Sequence, residues 1–316
     1  MANIMDYLDW RGDLPLTVSP FNEVDGLILA ELSFINFEGI VPPPELGRGV
    51  PLRDAAGTYF ARHNGQEIDM GVLVPGRIPD LMCRMAHSVR FGGMLLNGYC
   101  ELMDDAREQQ FAALTVELGD GSIYVSYRGT DDTIIGWKED FNLSTGVVPA
   151  QERAVEYMER ISDKASGMLR VGGHSKGGNL AIYGSVMCKS AHDKILEIYS
   201  NDGPGFSKEF QESPETAEMM PKIIRIIPEY SIIGTLLEHE KQPIIVASTS
   251  RGLLQHDGFS WEVQGPGLVR RDSLNKTALR FIEILHKWID GMDTEQKRLL
   301  IEDLFATLQA SGYENL

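Results

Sequence analysis

The sequence predicts an α/β fold, a mostly parallel sheet with helices on both faces. Three observations predict it. From about residue 111 onward, short apolar strand-like segments alternate with helical ones. Parallel pairing requires that pattern, because each return crossover takes up a helix. Second, a serine stands between one such strand and one such helix in Gly173-His174-Ser175-Lys176-Gly177, a G-x-S-x-G pattern. Third, Asp202 and Glu229 end later strands and His256 follows the last one. Polar chemistry therefore gathers at the carboxyl edge of the sheet.

Residues 22–37 read as an amphipathic helix, with Val24, Leu27, Ile28, Leu32 and Ile35 at three- and four-residue steps behind Asn22. Asn is a favoured helix cap. Pro42-Pro43-Pro44 and residues 47–49 break the chain, and Pro51 then opens a helix through Arg62. Residues 79–105 read as helical again, interrupted at Gly92-Gly93 and Gly98. Residues 1–105 carry no evident chemistry. They are expected to pack on or cap the core of residues 106–316, with both parts in one integrated domain.

Residues 111–118 and 122–127 read as strands joined by the turn Gly119-Asp120-Gly121. Residues 150–166 form a helix with Ala154, Val155, Met158, Ile161 and Ala165 on one face. A strand at 168–172, a small-residue helix at 176–190 and strands at 195–200, 222–227 and 244–248 follow. Two terminal helices close the chain. One carries Leu274, Ala278, Phe281, Ile282, Leu285 and Ile289, and the other carries Leu300, Leu304 and Leu308.

Composition narrows the function classes. With 46 acidic against 29 basic side chains, the net charge is −17. Such a surface argues against nucleic acid and anionic membranes as main partners. The three cysteines, Cys83, Cys100 and Cys188, form no C-x-x-C, so neither disulfides nor structural zinc are expected. No apolar segment reaches the roughly 20 residues of a membrane helix. The first residues carry Asp6 and Asp9 instead of an apolar leader. A cytoplasmic protein without stable membrane insertion is the expectation.

A serine hydroxyl is a poor nucleophile unless a base takes its proton, and the base needs a carboxylate to hold its tautomer. In a nucleophile elbow the serine rides a tight strand-to-helix turn, and the partners follow as acid and then histidine. The alternative for Ser175 is a glycine-rich turn ending in a helix-capping serine. Downstream histidines are His192, His239, His256 and His286. His192 ends the following helix and is expected at the surface, and His286 lies inside a terminal helix. His256 follows the strand at 244–248 and is the favoured base, with His239 the alternative. Asp202, in Asn201-Asp202-Gly203-Pro204, is the favoured acid and Glu229 the runner-up. Asp202 could also serve only its own turn, and Asp257 adjoins His256.

An oxyanion needs two preorganised donors. The Lys176 backbone N–H is one, and Thr130 in Arg128-Gly129-Thr130-Asp131-Asp132 is the other. The Lys176 side chain could face solvent or meet an anionic substrate group. Trp137 and Asp140 could line a lid or serve only packing and capping. This chemistry calls for neither metal nor cofactor.

Tyr127-Arg128-Gly129-Thr130, Trp137, Asp140 and Gly173-His174-Ser175-Lys176-Gly177-Gly178-Asn179 resemble the pattern of class 3 (fungal-type) lipases. A closer resemblance is to a bacterial lipase-like family of unknown function. It rests on Asp6-Tyr7-Leu8, Trp10-Arg11-Gly12-Asp13, Pro20-Phe21-Asn22-Glu23 with Asp25, and Arg128-Gly129-Thr130-Asp131-Asp132. It rests also on Gly136-Trp137-Lys138-Glu139-Asp140-Phe141-Asn142, Ser231-Ile232 with Gly234, and Gln255-His256-Asp257. The resemblance runs from residue 4 to about residue 265. It implies an α/β-hydrolase fold with the nucleophile, oxyanion and histidine positions given above.

One departure stands out. Class 3 lipases carry their acid in an Asp-x-Val-Pro segment, and here Ser231 stands where that aspartate would be. Pancreatic-type lipases carry the acid one strand earlier, in a turn similar to Asp202-Gly203-Pro204-Gly205-Phe206. The reading is a serine hydrolase acting on a small-molecule or lipid ester, with Ser175 as nucleophile, His256 as base and Asp202 as acid, Glu229 staying the alternative acid. A non-catalytic or regulatory binding protein on a hydrolase scaffold is the alternative from another class. A thioesterase or peptidase would use the same triad.

Overall fold

A computed structural model describes the chain outside residues 45–47, 65, 67, 69, 71–73, 105–108, 131–145, 238–240, 281, 284–290, 292–295 and 297–316. The expectations for Trp137, Asp140, His239, His286 and most of the two terminal helices lie outside the described residues.

Among the described residues one sheet holds eight strands in sequential order. They are β1 (Val50–Pro51), β2 (Leu95–Asp104), β3 (Gln109–Glu117), β4 (Ile123–Tyr127), β5 (Leu169–His174), β6 (Ile195–Asn201), β7 (Ile223–Pro228) and β8 (Ile244–Val246). β1 to β4 pair antiparallel. β4 to β8 pair parallel. The β3–β4 connection is the expected hairpin, with Gly121 at φ 84° supplying the left-handed turn.

The helices are α1 (Ile4–Arg11), α2 (Glu23–Leu32), α3 (Leu52–His63), α4 (Ile78–His87), α5 (Pro149–Lys164) and α6 (Lys176–Met187), with the short α7 (Lys208–Gln211) and α8 (Pro214–Met219) beyond β6. Asn22 starts α2 as expected. Its side chain accepts the N–H of Val24 and Asp25, and Asp25 returns a bond to the Asn22 N–H. The helix stops at Leu32 and not at residue 37. Ser33, Phe34 and Ile35 each donate three residues back, which tightens the chain out of α-helical pitch.

A larger correction concerns residues 79–105, expected to be helical. The helix ends at His87, where the Ser88 hydroxyl donates to the Met85 carbonyl. β2 then begins at Leu95 and bulges at Gly98, φ 65°. The physical reason is tertiary. β3 would otherwise present an open edge, and β2 supplies its backbone partners.

The strands alternate their side chains between two packed layers. Tyr124 and Ser126 of β4 face α2, and their hydroxyls donate to the Gly26 and Leu29 carbonyls at 2.9 Å each. Tyr127 faces the other way and donates to Ala154 of α5 at 2.8 Å. One core layer therefore joins α1 to α4 to the sheet, and a second joins α5 and α6 to its opposite face. This mostly parallel sheet with helices on both faces and a strand–serine–helix turn in its middle is an α/β-hydrolase fold.

The N-terminal helices are tied down by a buried ion pair. Arg90 and Asp25 meet at 2.5 Å with both side chains fully buried. Arg90 also donates to the carbonyls of Leu14, Ser19 and Pro20. The Tyr7 hydroxyl donates to Asp25 at 3.0 Å. Burial pushes the Asp25 carboxyl upward, and the guanidinium opposes that shift.

Candidate active site

Gly173 lies next to the end of β5 and Gly177 in the first turn of α6, and between them the chain turns through Ser175 at φ 56° and ψ −131°. A Cβ on Gly173 would strike the Gly177 backbone, so only glycine lets strand and helix cross this closely. Left-handed backbone at a serine is strained. Its side chain makes no capping bond to α6, which removes the helix-cap alternative. Ser175 is half-buried at the N-terminal end of a helix, where backbone dipoles favour negative charge.

His256 ends a short 3-10 turn, Gly252–His256. Gln255 anchors it from three sides. It accepts from the Tyr230 N–H at 2.8 Å, donates to Ser250 O at 3.1 Å, and receives the Trp261 indole N–H on its carbonyl at 2.8 Å. His256 Nδ1 lies 2.6 Å from Asp202 Oδ2. The Asp202 side chain is buried, whereas that of His256 is 30% exposed. The His256 ring also lies on that of His174, the residue before Ser175, with centroids 4.6 Å apart. The chain thus brings Ser175, His256 and Asp202 to one edge of the sheet. Among the described residues Ser175 Oγ makes no hydrogen bond. Such bonds are often long in unliganded sites and tighten when substrate binds.

Asp202 adopts φ 52°, a left-handed conformation that Asp tolerates better than most residues. Its N–H donates to Ile226 O at 2.8 Å, which locks the turn to β7. Its second oxygen accepts the Ser231 hydroxyl. The buried Arg225 guanidinium feels the Asp202 charge, yet burial dominates and lowers it to about 10. Glu229 is turned elsewhere, with its carboxylate 3.6 Å from Arg271.

Thr130 is half-buried, immediately after the Gly129 turn that packs on the elbow. A Cβ on Gly129 would lie 2.6 Å from His174 O and 3.3 Å from Ser175 Cβ. The Lys176 side chain does not face solvent. It is 1% exposed and runs into the fold, its ammonium donating to Gln110 O at 3.2 Å. His192 is another correction. Expected at the surface, it is 6% exposed. A 3-10 turn folds it back beneath α6, where Nε2 bonds Val186 O at 2.9 Å and Nδ1 lies 3.2 Å from Glu218.

Three residues around His256 were not legible as site residues in the sequence. His174 was noticed only as part of the motif, yet its Nε2 lies 2.7 Å from His256 O. Ser231, at the position where class 3 lipases carry an acid, donates its hydroxyl to Asp202. Glu31 was passed over inside an apolar helix, yet its carboxylate lies 3.8 Å from His174 Nδ1. An acidic residue in the run Leu27-Ile28-Leu29-Ala30-Glu31-Leu32 was the available signal.

Among the described residues no group of three or more His, Cys, Asp or Glu could hold a metal, and no helix is long and apolar enough to cross a membrane. The family model described as Mbeg1-like matches residues 85–306, more than half of the chain. No curated protein matches it. Among solved structures the chain is similar to M37 lipase, with 13% identity, TM-score 0.45, and 69% of this chain and 71% of that chain covered. It is similar to the Rhizomucor miehei lipase propeptide complex, with 14% identity, TM-score 0.38, and 48% and 57% covered. For Lip2 lipase from Yarrowia lipolytica the values are 12%, 0.37, 62% and 75%. The chain thus spans less than two thirds of the Rhizomucor miehei chain.

Proposed function

The chain belongs to the Mbeg1-like family, and we propose that it is a serine hydrolase cleaving a carboxylic ester, with a lipid or other acyl ester as substrate. The observation that carries this reading is the 2.6 Å contact of His256 Nδ1 with Asp202 Oδ2 beside a serine held in a strained elbow. That contact fixes the proton of His256 on Nδ1 and leaves Nε2 as the base.

In this mechanism Ser175 Oγ attacks the carbonyl carbon while His256 Nε2 takes its proton. The charge on the carbonyl oxygen develops at the N-terminus of α6, against the Lys176 backbone N–H and Thr130. His256 then returns the proton to the leaving alkoxide, and an acyl group remains on Ser175. Water, deprotonated by the same nitrogen, then attacks the acyl carbon; the Ser175 Oγ–acyl bond breaks, the acid leaves, and His256 returns the proton to Ser175 Oγ. Asp202 holds the imidazole in its tautomer and stabilises the imidazolium.

An apolar acyl group fits the surroundings. Leu253 and Leu254 stand 66% and 72% exposed just before His256 and give the site an apolar rim. The serine at 231 leaves the base a carboxylate, since Asp202 supplies one. The test is hydrolysis of p-nitrophenyl esters of graded chain length by wild type and by His256→Ala. Turnover by wild type with a loss of about 10³-fold or more in the variant is expected. Equal rates in both, or no turnover at any length, would reject the reading.

A further inference from the structure

Behind the proposed base lies a second acid–histidine couple that the mechanism does not use. Glu31 of α2 is 0% exposed, and among the described residues neither carboxyl oxygen has a hydrogen-bond partner. Its carboxyl abuts the loop that carries His256, since a Cβ on Gly258 would lie 2.7 Å from Glu31 Oε1. His174 Nδ1 is 3.8 Å from the same oxygen. That distance is longer than a hydrogen bond. On the other side of the ring, His174 Nε2 lies 2.7 Å from His256 O, so Nε2 carries the proton and donates it. Nδ1 is then a bare acceptor facing Glu31.

An ionised carboxylate would face that lone pair with another lone pair in a dry environment, which is unfavourable. A neutral carboxylic acid supplies the missing donor. The ionisable groups facing Glu31 are His174 from β5 and Asp257 from the base loop. His256 lies behind His174, and Arg77, ahead of α4, acts on Asp257. Burial, and then Asp257, holds the Glu31 carboxyl well above its ordinary range. Burial, and then His256, lowers His174 to about 3. His174 is therefore neutral at neutral pH, and burial with no donor or cation on either Glu31 oxygen favours the neutral form of that carboxyl.

We propose that Glu31 is a positioning residue: as a neutral acid it donates its proton to His174 Nδ1 and locks His174 in the tautomer that holds the backbone and ring of His256. α2 thereby reaches the catalytic edge through a chain from Glu31 to His174 to His256. The inference rests on the hydrolase reading for its effect on rate, though the acid–imidazole couple stands apart from it.

The test compares wild type, Glu31→Gln and Glu31→Ala between about pH 6 and pH 10 by ester hydrolysis. Selective ¹⁵N labelling of histidine follows His174 Nδ1 in the same samples. Glutamine keeps a neutral donor at every pH, so Glu31→Gln is expected to retain most of kcat and to lose the alkaline limb that ionisation of Glu31 gives wild type. Glu31→Ala is expected to lower kcat roughly tenfold or more at all pH values with KM little changed. The His174 Nδ1 resonance is expected to be that of a hydrogen-bonded acceptor in wild type and Glu31→Gln, and of a free acceptor in Glu31→Ala. An alkaline limb shared by wild type and Glu31→Gln would overturn the proposal. So would a His174 Nδ1 resonance unchanged in Glu31→Ala. Absence of ester hydrolysis by wild type would count against the hydrolase reading alone, and the resonance would still decide the role of Glu31.

Discussion

Ser231 donates its hydroxyl to one oxygen of Asp202 while His256 Nδ1 engages the other at 2.6 Å. The two residues come from the ends of neighbouring strands, and both side chains are buried. Ser231 fills the position where the resemblance to class 3 lipases would put an acid. It acts here as a donor that orients an acid one strand away. A hydrogen bond to a charged group contributes about 1.5–3 kcal/mol. Ser231→Ala is therefore expected to destabilise the fold by about 1–3 kcal/mol and to lower kcat roughly tenfold. Chemical denaturation and ester kinetics on one preparation check both.

Asp202 and Glu229 give opposite expectations. On the proposed mechanism Asp202→Asn takes from His256 its carboxylate partner and is expected to reduce kcat roughly 10⁴-fold. Glu229→Gln is expected to leave it unchanged, because that carboxylate faces Arg271 at 3.6 Å. Side-by-side steady-state kinetics of the two variants provide the check.

The couple behind the base gives two pH dependences of opposite sign. His174 is lowered from its ordinary value of 6.5 to about 3. Its contribution to stability is full above pH 6.5 and is lost as pH falls toward 3. The loss is on the order of 5 kcal/mol. Glu31 is raised, so stability is full below its ordinary value of 4.5 and is lost as pH rises through the folded value. Thermal melts across pH are expected to show a flatter acid limb in His174→Gln and a flatter alkaline limb in Glu31→Gln than in wild type.

The Arg90–Asp25 pair predicts a nonadditive series. Either single truncation strands a buried charge and is expected to cost about 3–5 kcal/mol. Replacing both with apolar residues of similar volume, as in Arg90→Met with Asp25→Leu, is expected to cost less than either alone. Urea midpoints measure it. The folded fraction of each variant is expected to keep its ester hydrolysis, because the pair holds α2 and the N-terminal turns without touching Ser175.

Much of the fold was legible because its local signals and tertiary needs agree. The β3–β4 hairpin carries Gly119-Asp120-Gly121, the α2 start carries Asn22 with Asp25, and the β5–α6 elbow carries Gly173 and Gly177. Residues 95–104 form a strand and not the expected helix, because their apolar spacing fits either period. Only the need of β3 for a partner decides it. At the site, chain order and strand ends singled out Ser175, Asp202 and His256. What no spacing could reveal is the direction of a side chain. Lys176 turns into the fold, His192 folds back under a helix, and Ser231 points across to Asp202. Glu31 meets His174 only once α2 is packed on the sheet.

The most direct measurement is covalent labelling with a fluorophosphonate probe, followed by mass spectrometry to locate the adduct. The account predicts one adduct on Ser175 in wild type, none in Ser175→Ala, and sharply slowed labelling in His256→Ala. Undiminished labelling of Ser175→Ala, or an adduct on another residue of wild type, would contradict it.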